Sequence, residues 1–305
     1  MPELILHHYE ASPFSEKVRL VLGRKRLAYR SVRIPVVMPK PDVLALTGGY
    51  RKTPLLQVAN HVYCDTALIA RVLERVQPEP TLYPDALAEI TAEWADTALF
   101  DAAAAMSTRP TTLDRVMQLM TPDELMRFRD DRIAMVQGAR RPFPAYATGR
   151  AHAALYLARL EGALSSRAYL GGQEPSIADF SAYHPVWFLD MLSPEILAKF
   201  SAVRTWQARM AAIGHGQASP LPSEDALAVC RSSDPNGEFD TPATELEGLP
   251  FGSHVMVRAA DYGRDPVEGV LVHARPNEVV IQRDDERAGR VFVHFPRIGY
   301  DLRST

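Results

Sequence analysis

Three short polar groups within the first 66 residues have the types and spacing to hold a charged small molecule. Ser12-Pro13-Phe14-Ser15 has the form of a helix start, with serine at the N-cap and proline at the first helical position. A polar side chain there sits at the positive end of the helix dipole beside free N–H groups, where an anion such as a thiolate is stabilised. N-capping by Ser12 alone accounts for the same residues. Thr53-Pro54 precedes an apolar strand. Proline is tolerated at a first strand residue, and a cis bond would turn the Thr53 backbone outward, although trans is the commoner form. Cys64-Asp65-Thr66 ends a strand and begins a helix. Asp65 can accept from an ammonium group, and the Thr66 hydroxyl and N–H can hold a carboxylate. Helix capping explains that pair equally well.

The elements that must position these groups follow from hydrophobic spacing. Residues 4–8 form a short apolar run, a strand. Phe14, Val18, Val21 and Leu22 recur at helical spacing after Ser12. Residues 31–34 alternate like a second strand, and residues 54–58 and 62–64 form a hairpin around Ala59-Asn60-His61. A helix is predicted over 66–76, stopped by Pro78 and Pro80. This βαβ…ββα order describes a small α/β domain over residues 1–80.

Residues 85–213 carry a helical pattern, with a break at Arg141-Pro142-Phe143-Pro144. Ser176 and Asp179 form a capping-box variant ahead of a helix over 178–189. Residues 214–244 are rich in Gly, Pro, Ser and Asp and are expected to be a linker, interrupted by a brief helix over 223–230. Four β segments are predicted over 254–258, 269–273, 278–282 and 290–295. They suggest a separate small antiparallel sheet or barrel over 245–305.

Bulk properties narrow the function classes. The 305 residues carry 34 Lys and Arg against 37 Asp and Glu, a net charge of −3, which is too balanced for strong attraction to nucleic acid. Residues 1–80 have 12 basic against 7 acidic residues, so a small anionic ligand is expected on the first unit. No stretch of about 18 apolar residues is free of charge, so no membrane span is expected. The start MPELILHHYE lacks the form of a signal peptide. Two cysteines, Cys64 and Cys230, make no disulfide framework and fit a reducing, cytoplasmic setting.

The runs YEASPFSEKVRLVL, GGYRKTPLLQV, VYCDTALIARVL and YLGGQEPSIADF together resemble the glutathione transferase superfamily over about residues 1–215. The resemblance implies an α/β thioredoxin-like N-terminal domain and an all-α C-terminal bundle, followed here by the small all-β region. It implies binding of reduced glutathione as co-substrate, with no metal, and transfer of glutathione to a small hydrophobic electrophile. A homodimer and a role in detoxification go with it, without a nucleic-acid or membrane partner. By the same resemblance Ser12 faces the glutathione sulfur, and Thr53 pairs its backbone with the cysteinyl part. Pro54 is the cis-proline, and Asp65 and Thr66 hold the γ-glutamyl ammonium and carboxylate. Lys40, fourteen residues before Pro54, contacts the glycine end. Ser176 and Asp179 match the family's buried folding element.

Departures also inform. Ser12 and Ser15 fill both positions of a Cys-x-x-Cys redox pair, so dithiol exchange and a mixed disulfide with glutathione are excluded at that junction. Tyr9 is the rival to Ser12, because some classes use a tyrosine after the first strand. Trp94, Phe100, Met106, Phe143 and Tyr146 are candidates for the second-substrate wall, or core residues. His254, His273 and His294 lack tight metal-ligand spacing. A non-catalytic protein on the same fold, using the β region for protein interaction, is the alternative function.

Overall fold

The computed structural model describes residues 2–108, 121–140, 142–237, 239 and 241–305. The expected helical run over 85–213 thus includes a stretch, 109–120, outside the described residues, as is Arg141 of the expected helix break.

The first unit runs β1 (Ile5–His8), α1 (Pro13–Arg24), β2 (Ala28–Arg33), α2 (Pro41–Thr47), β3 (Leu55–Val58), β4 (His61–Cys64) and α3 (Thr66–Val76). It is the thioredoxin-like arrangement. Strand alternation sends Ile5 and Leu55 to one face and Leu6 and Leu56 to the other, so both faces carry core. Ser12 caps α1 by accepting from the Ser15 N–H at 3.2 Å, with Pro13 in the first turn. α2 ends on Gly48 at φ +79°, a left-handed cap that glycine adopts without steric cost.

The helical half comprises α4 (Ala86–Trp94), a π turn over Ala95–Leu99, α5 (Phe100–Ala104) and a 3-10 turn over Ala105–Thr108. Next come α6 (Pro122–Val136), α7 (Tyr146–Leu164), α8 (Ile177–Leu192), the short α9 (Pro194–Leu197) and α10 (Ser201–Ala211). Asp179 is fully buried at the start of α8 and accepts from Leu170 N–H at 2.7 Å, Ser176 N–H at 3.0 Å and Trp206 Nε1 at 2.9 Å. One core lies between the sheet, α1, α3 and these helices, and contains Leu22, Ile69, Phe180 and Trp206.

Two expectations about the last third are corrected. Within the expected linker the brief helix is present as α11 (Ser223–Ser232), burying Ala226, Leu227 and Cys230 in the second core, but an unexpected strand, β5 (Gln217–Pro220), precedes it and pairs in parallel with β2. The returning chain passes so close to α1 that a Cβ on Gly23 would lie 2.0 Å from the Gly214 carbonyl oxygen. The terminal strands β6 (His254–Ala259), β7 (Val267–Arg275), β8 (Glu278–Asp285), β9 (Gly289–Pro296) and β10 (Tyr300–Ser304) do form an antiparallel sheet, but not a separate one. β9 pairs in parallel with β4, with Val62 opposite Val293, giving one ten-stranded sheet in the order β10-β6-β7-β8-β9-β4-β3-β1-β2-β5. Hydrophobic faces merge for the same reason, with Val257, Leu271, Ile281 and Phe295 joining Ile5, Leu55 and Val62 in the second core. No helix among the described residues is long and apolar enough to cross a membrane.

Candidate functional site

Strand register gathers the predicted residues. Leu55 pairs with His7 on one side and Cys64 on the other. The segment after β1, the segment before β3 and the segment after β4 therefore leave the same end of the sheet. These carry Tyr9 and Ser12, Thr53 and Pro54, and Asp65 and Thr66.

Ser12 is 3% exposed. Its Oγ accepts from Ser15 N–H, its N–H donates to the Tyr9 carbonyl at 3.3 Å, and its hydroxyl proton has no acceptor among the described residues. The Thr53–Pro54 bond is cis. Lys40, at the N-cap of α2, donates from Nζ to Thr53 Oγ1 at 3.2 Å and stands 5.5 Å from the centre of the Tyr9 ring. The Lys40 side chain is buried and makes no ion pair among the described residues. Burial draws its ammonium down to about 8, with Arg132 and Arg51 adding to the shift and Asp131 opposing it. A buried cation in that state favours an incoming anion.

Asp65 adopts φ +75° and ψ 135°, uncommon for a residue with a side chain, which marks the position as one held by its surroundings. Its Oδ1 accepts from Ala67 N–H at 2.9 Å, and its Oδ2 accepts from the Tyr300 hydroxyl at 3.1 Å. Tyr300 also meets the Tyr50 hydroxyl at 3.1 Å. Thr66, 5% exposed, accepts from Lys17 Nζ at 3.1 Å. Lys17 in turn lies 2.6 Å from Asp96 in the π turn, and Asp96 also takes bonds from Ser181 at 3.2 Å and His184 at 2.9 Å. Burial alone would raise the Asp96 carboxyl, but the Lys17 ammonium and His184 outweigh it and hold the group below its usual value.

The five aromatic and methionine candidates separate. Phe100 and Phe143 meet at 6.3 Å between ring centres, and Phe143 meets Tyr262 of the terminal region at 5.2 Å. Phe14, just after Ser12, contacts Phe100 at 4.6 Å and His184 at 4.5 Å. Met106 is fully buried in the helical core, Trp94 meets Tyr156 edge-on, and Tyr146 packs against the same core. Lys17, Asp96, Tyr50, Tyr262 and Tyr300 are the residues that sequence reasoning missed. Tyr50, inside the run GGYRKTP, and Lys17, inside YEASPFSEKVRLVL, lay within recognisable motifs, and the other three did not.

Both cysteines are buried, and burial pushes the Cys64 thiol well up and Cys230 to about 12. His294 bonds Glu278 at 2.5 Å and His61 at 2.8 Å, while His254 is exposed and His273 stacks on Phe239. Among the described residues no group of three or more His, Cys, Asp or Glu is arranged to hold a metal.

Comparison with known proteins agrees with this architecture. Residues 6–81 match the glutathione S-transferase N-terminal domain, and residues 108–213 match the glutathione S-transferase C-terminal domain. The crystal structure of a GST-like protein from Pseudomonas syringae is 36% identical, covers all of both chains and superposes with a TM-score of 0.81. FtsZ-localized protein A of Caulobacter vibrioides is 24% identical over 216 residues, 68% of this chain and 86% of that one. A glutathione S-transferase from Rhodospirillum rubrum shares the fold at 23% identity and a TM-score of 0.53, over 68% of this chain and 88% of its own. With both halves matched and a full-length likeness besides, the chain belongs to the glutathione S-transferase superfamily.

Proposed function

We propose that the protein binds reduced glutathione at this end of the sheet and transfers it to a small hydrophobic electrophile. Asp65 takes the γ-glutamyl ammonium, Thr66 and the α3 N-terminus take its carboxylate, and the Thr53 backbone beside Pro54 pairs with the cysteinyl unit. Lys40 takes the glycine carboxylate. The Ser12 hydroxyl donates to the sulfur, with Tyr9 as the alternative donor. The observation that carries this reading is the buried Lys40 ammonium, held on Thr53 without a paired carboxylate among the described residues.

The chemistry follows from the charge pattern. A free thiol of this kind has a pKa near 8.5. A donated hydroxyl and the N-terminus of α1 stabilise S⁻ over S–H, so the thiol releases its proton to solvent more readily. The thiolate pair then forms a carbon–sulfur bond, and a leaving group such as halide departs with the electrons of the broken bond. A cytoplasmic homodimer fits two free cysteines and the family.

A calorimetric titration with reduced glutathione, on wild type and Lys40→Met, tests the binding half. Saturable binding that the substitution weakens supports it, and turnover of an electrophile panel that Ser12→Ala reduces supports the transfer. A second reading is a non-catalytic interaction protein. It is favoured by the Tyr300 hydroxyl on Asp65 and by the likeness to a protein named for its localisation with FtsZ. Folded wild type that binds no glutathione would put that reading first.

A further inference from the structure

The terminal region reaches the site at two points. At one, the Tyr300 hydroxyl occupies Asp65 Oδ2 at 3.1 Å, with its ring packed 5.5 Å from Phe295. At the other, the β6–β7 turn over residues 260–266 lies against the segment before Pro54. Lys52 Nζ bonds Asp261 at 2.6 Å and stands 4.3 Å from the centre of the Tyr262 ring. The same turn is tied to the helical half: Arg140 N–H donates to the Asp261 carbonyl at 3.1 Å, and Gly263 N–H donates to the Met135 carbonyl at 2.7 Å. Tyr262 itself packs on Phe143.

Arg264 joins the two points into one piece. Its Nη1 donates to the Ala259 and Ala260 carbonyls at 2.8 and 2.9 Å, and its Nη2 reaches Asp301, the neighbour of Tyr300, at 3.5 Å. Next to the two contacted residues, Asp65 and Lys52, stand Thr66 and Thr53, and Ser12, Lys40 and Thr66 are 3%, 3% and 5% exposed. These are the groups that must touch the sulfur, the glycine end and the γ-glutamyl end of the tripeptide.

We propose that the β6–β7 turn and Tyr300 together form a built-in cover over the glutathione site, latched by Tyr300 on Asp65 and by Lys52 on Asp261. The inference rests on the glutathione reading for its ligand but not for its geometry. An ammonium arriving at Asp65 replaces a neutral phenol donor with an ion pair to the same carboxylate, so binding of the tripeptide releases the first latch. The second latch sets how readily Tyr262 leaves Phe143, and thereby how much room an electrophile finds beside the sulfur.

The test uses the full chain carrying Ser12→Cys as a reporter of access, labelled with dithiobis(nitrobenzoate). Cys64 and Cys230 are 0% and 1% exposed, and wild type labelled in parallel gives their background. Adding Tyr300→Phe to the reporter, and separately Asp261→Asn, is expected to speed labelling about tenfold each, the size of one net hydrogen bond. A reporter that labels at the rate of free cysteine, unchanged by either substitution, overturns the cover. No glutathione is present in this assay, so the result stands whatever the ligand proves to be. Where wild type binds glutathione in calorimetry, Tyr300→Phe with Ser12 intact is expected to tighten it about tenfold. Weaker binding would instead make Tyr300 a ligand contact and overturn the latch.

Discussion

The Lys17 ammonium, 1% exposed on α1, lies 2.6 Å from the Asp96 carboxylate of the π turn. This pair ties the thioredoxin-like half to the helical half directly behind Thr66. Asp96→Ala leaves a buried cation without its counter-charge, and we expect a loss of about 3–5 kcal/mol in urea denaturation. Lys17→Met in the same chain is expected to restore most of it, because the stranded charge is gone. The pH sign follows from the lowered carboxyl: the contribution is present above the unfolded value of 3.8 and is lost as pH falls through the lower folded value.

Lys40 gives a prediction with the opposite slope. The free protein holds its ammonium at about 8, and a bound carboxylate raises that value. Affinity for a glutathione analogue is then full below pH 8 and falls above it, by at most roughly tenfold per pH unit. S-methylglutathione removes the thiol's own titration from the measurement. Lys40→Met is expected to bind it more weakly and with a flat profile over this range.

Acid should loosen the first unit through His7. This residue is fully buried in β1 with its Nε2 on Gln57 Oε1 at 2.8 Å, and burial draws it down to about 4 although Gln57 pulls the other way. A histidine whose folded value is depressed stabilises the fold above 6.5 and loses that contribution as pH falls toward 4. The gap between the unfolded and folded values corresponds to about 3 kcal/mol from this group. Denaturation midpoints at pH 7.5 and 4.5 should differ accordingly, and His7→Leu should narrow the gap while lowering the midpoint at pH 7.5.

Ser12→Ala separates the observed cap from the proposed sulfur contact of the same hydroxyl. Loss of the cap costs about 1 kcal/mol of stability, visible in a melt. Loss of the donor to sulfur should raise the pKa of bound glutathione by about one unit, read from thiolate absorbance against pH. A shift in the melt with no shift in the titration would assign the sulfur contact to Tyr9.

Legibility in the sequence followed the reach of local physics. The helix at Thr66–Val76 was legible because its cap, its apolar stripe and its stop all lie within fifteen residues. Ser12, Thr53 and Asp65 were legible as a set because each sits at an element boundary with a type suited to it. β5 was not: Gln217–Pro220 is exposed throughout and exists through backbone pairing with β2. The union of β4 with β9 was equally hidden, since Val62 and Val293 carry no mark of each other. Tyr300 lies 235 residues from Asp65, and a phenol's partner at that range is set only by the finished fold.

The β4–β9 seam has one more consequence. Without β9, β4 would be a sheet margin offering unpaired N–H and C=O groups beside buried Val62, a template on which another chain can assemble. The terminal strands therefore guard the protein against open-ended strand-to-strand assembly at this edge. A chain cut before residue 245 should be judged first by light scattering, because aggregation would precede any other change. The exposed margin has moved to β10, whose Asp301, Arg303 and Ser304 bring charge and polarity to the new edge, a means by which proteins discourage such pairing.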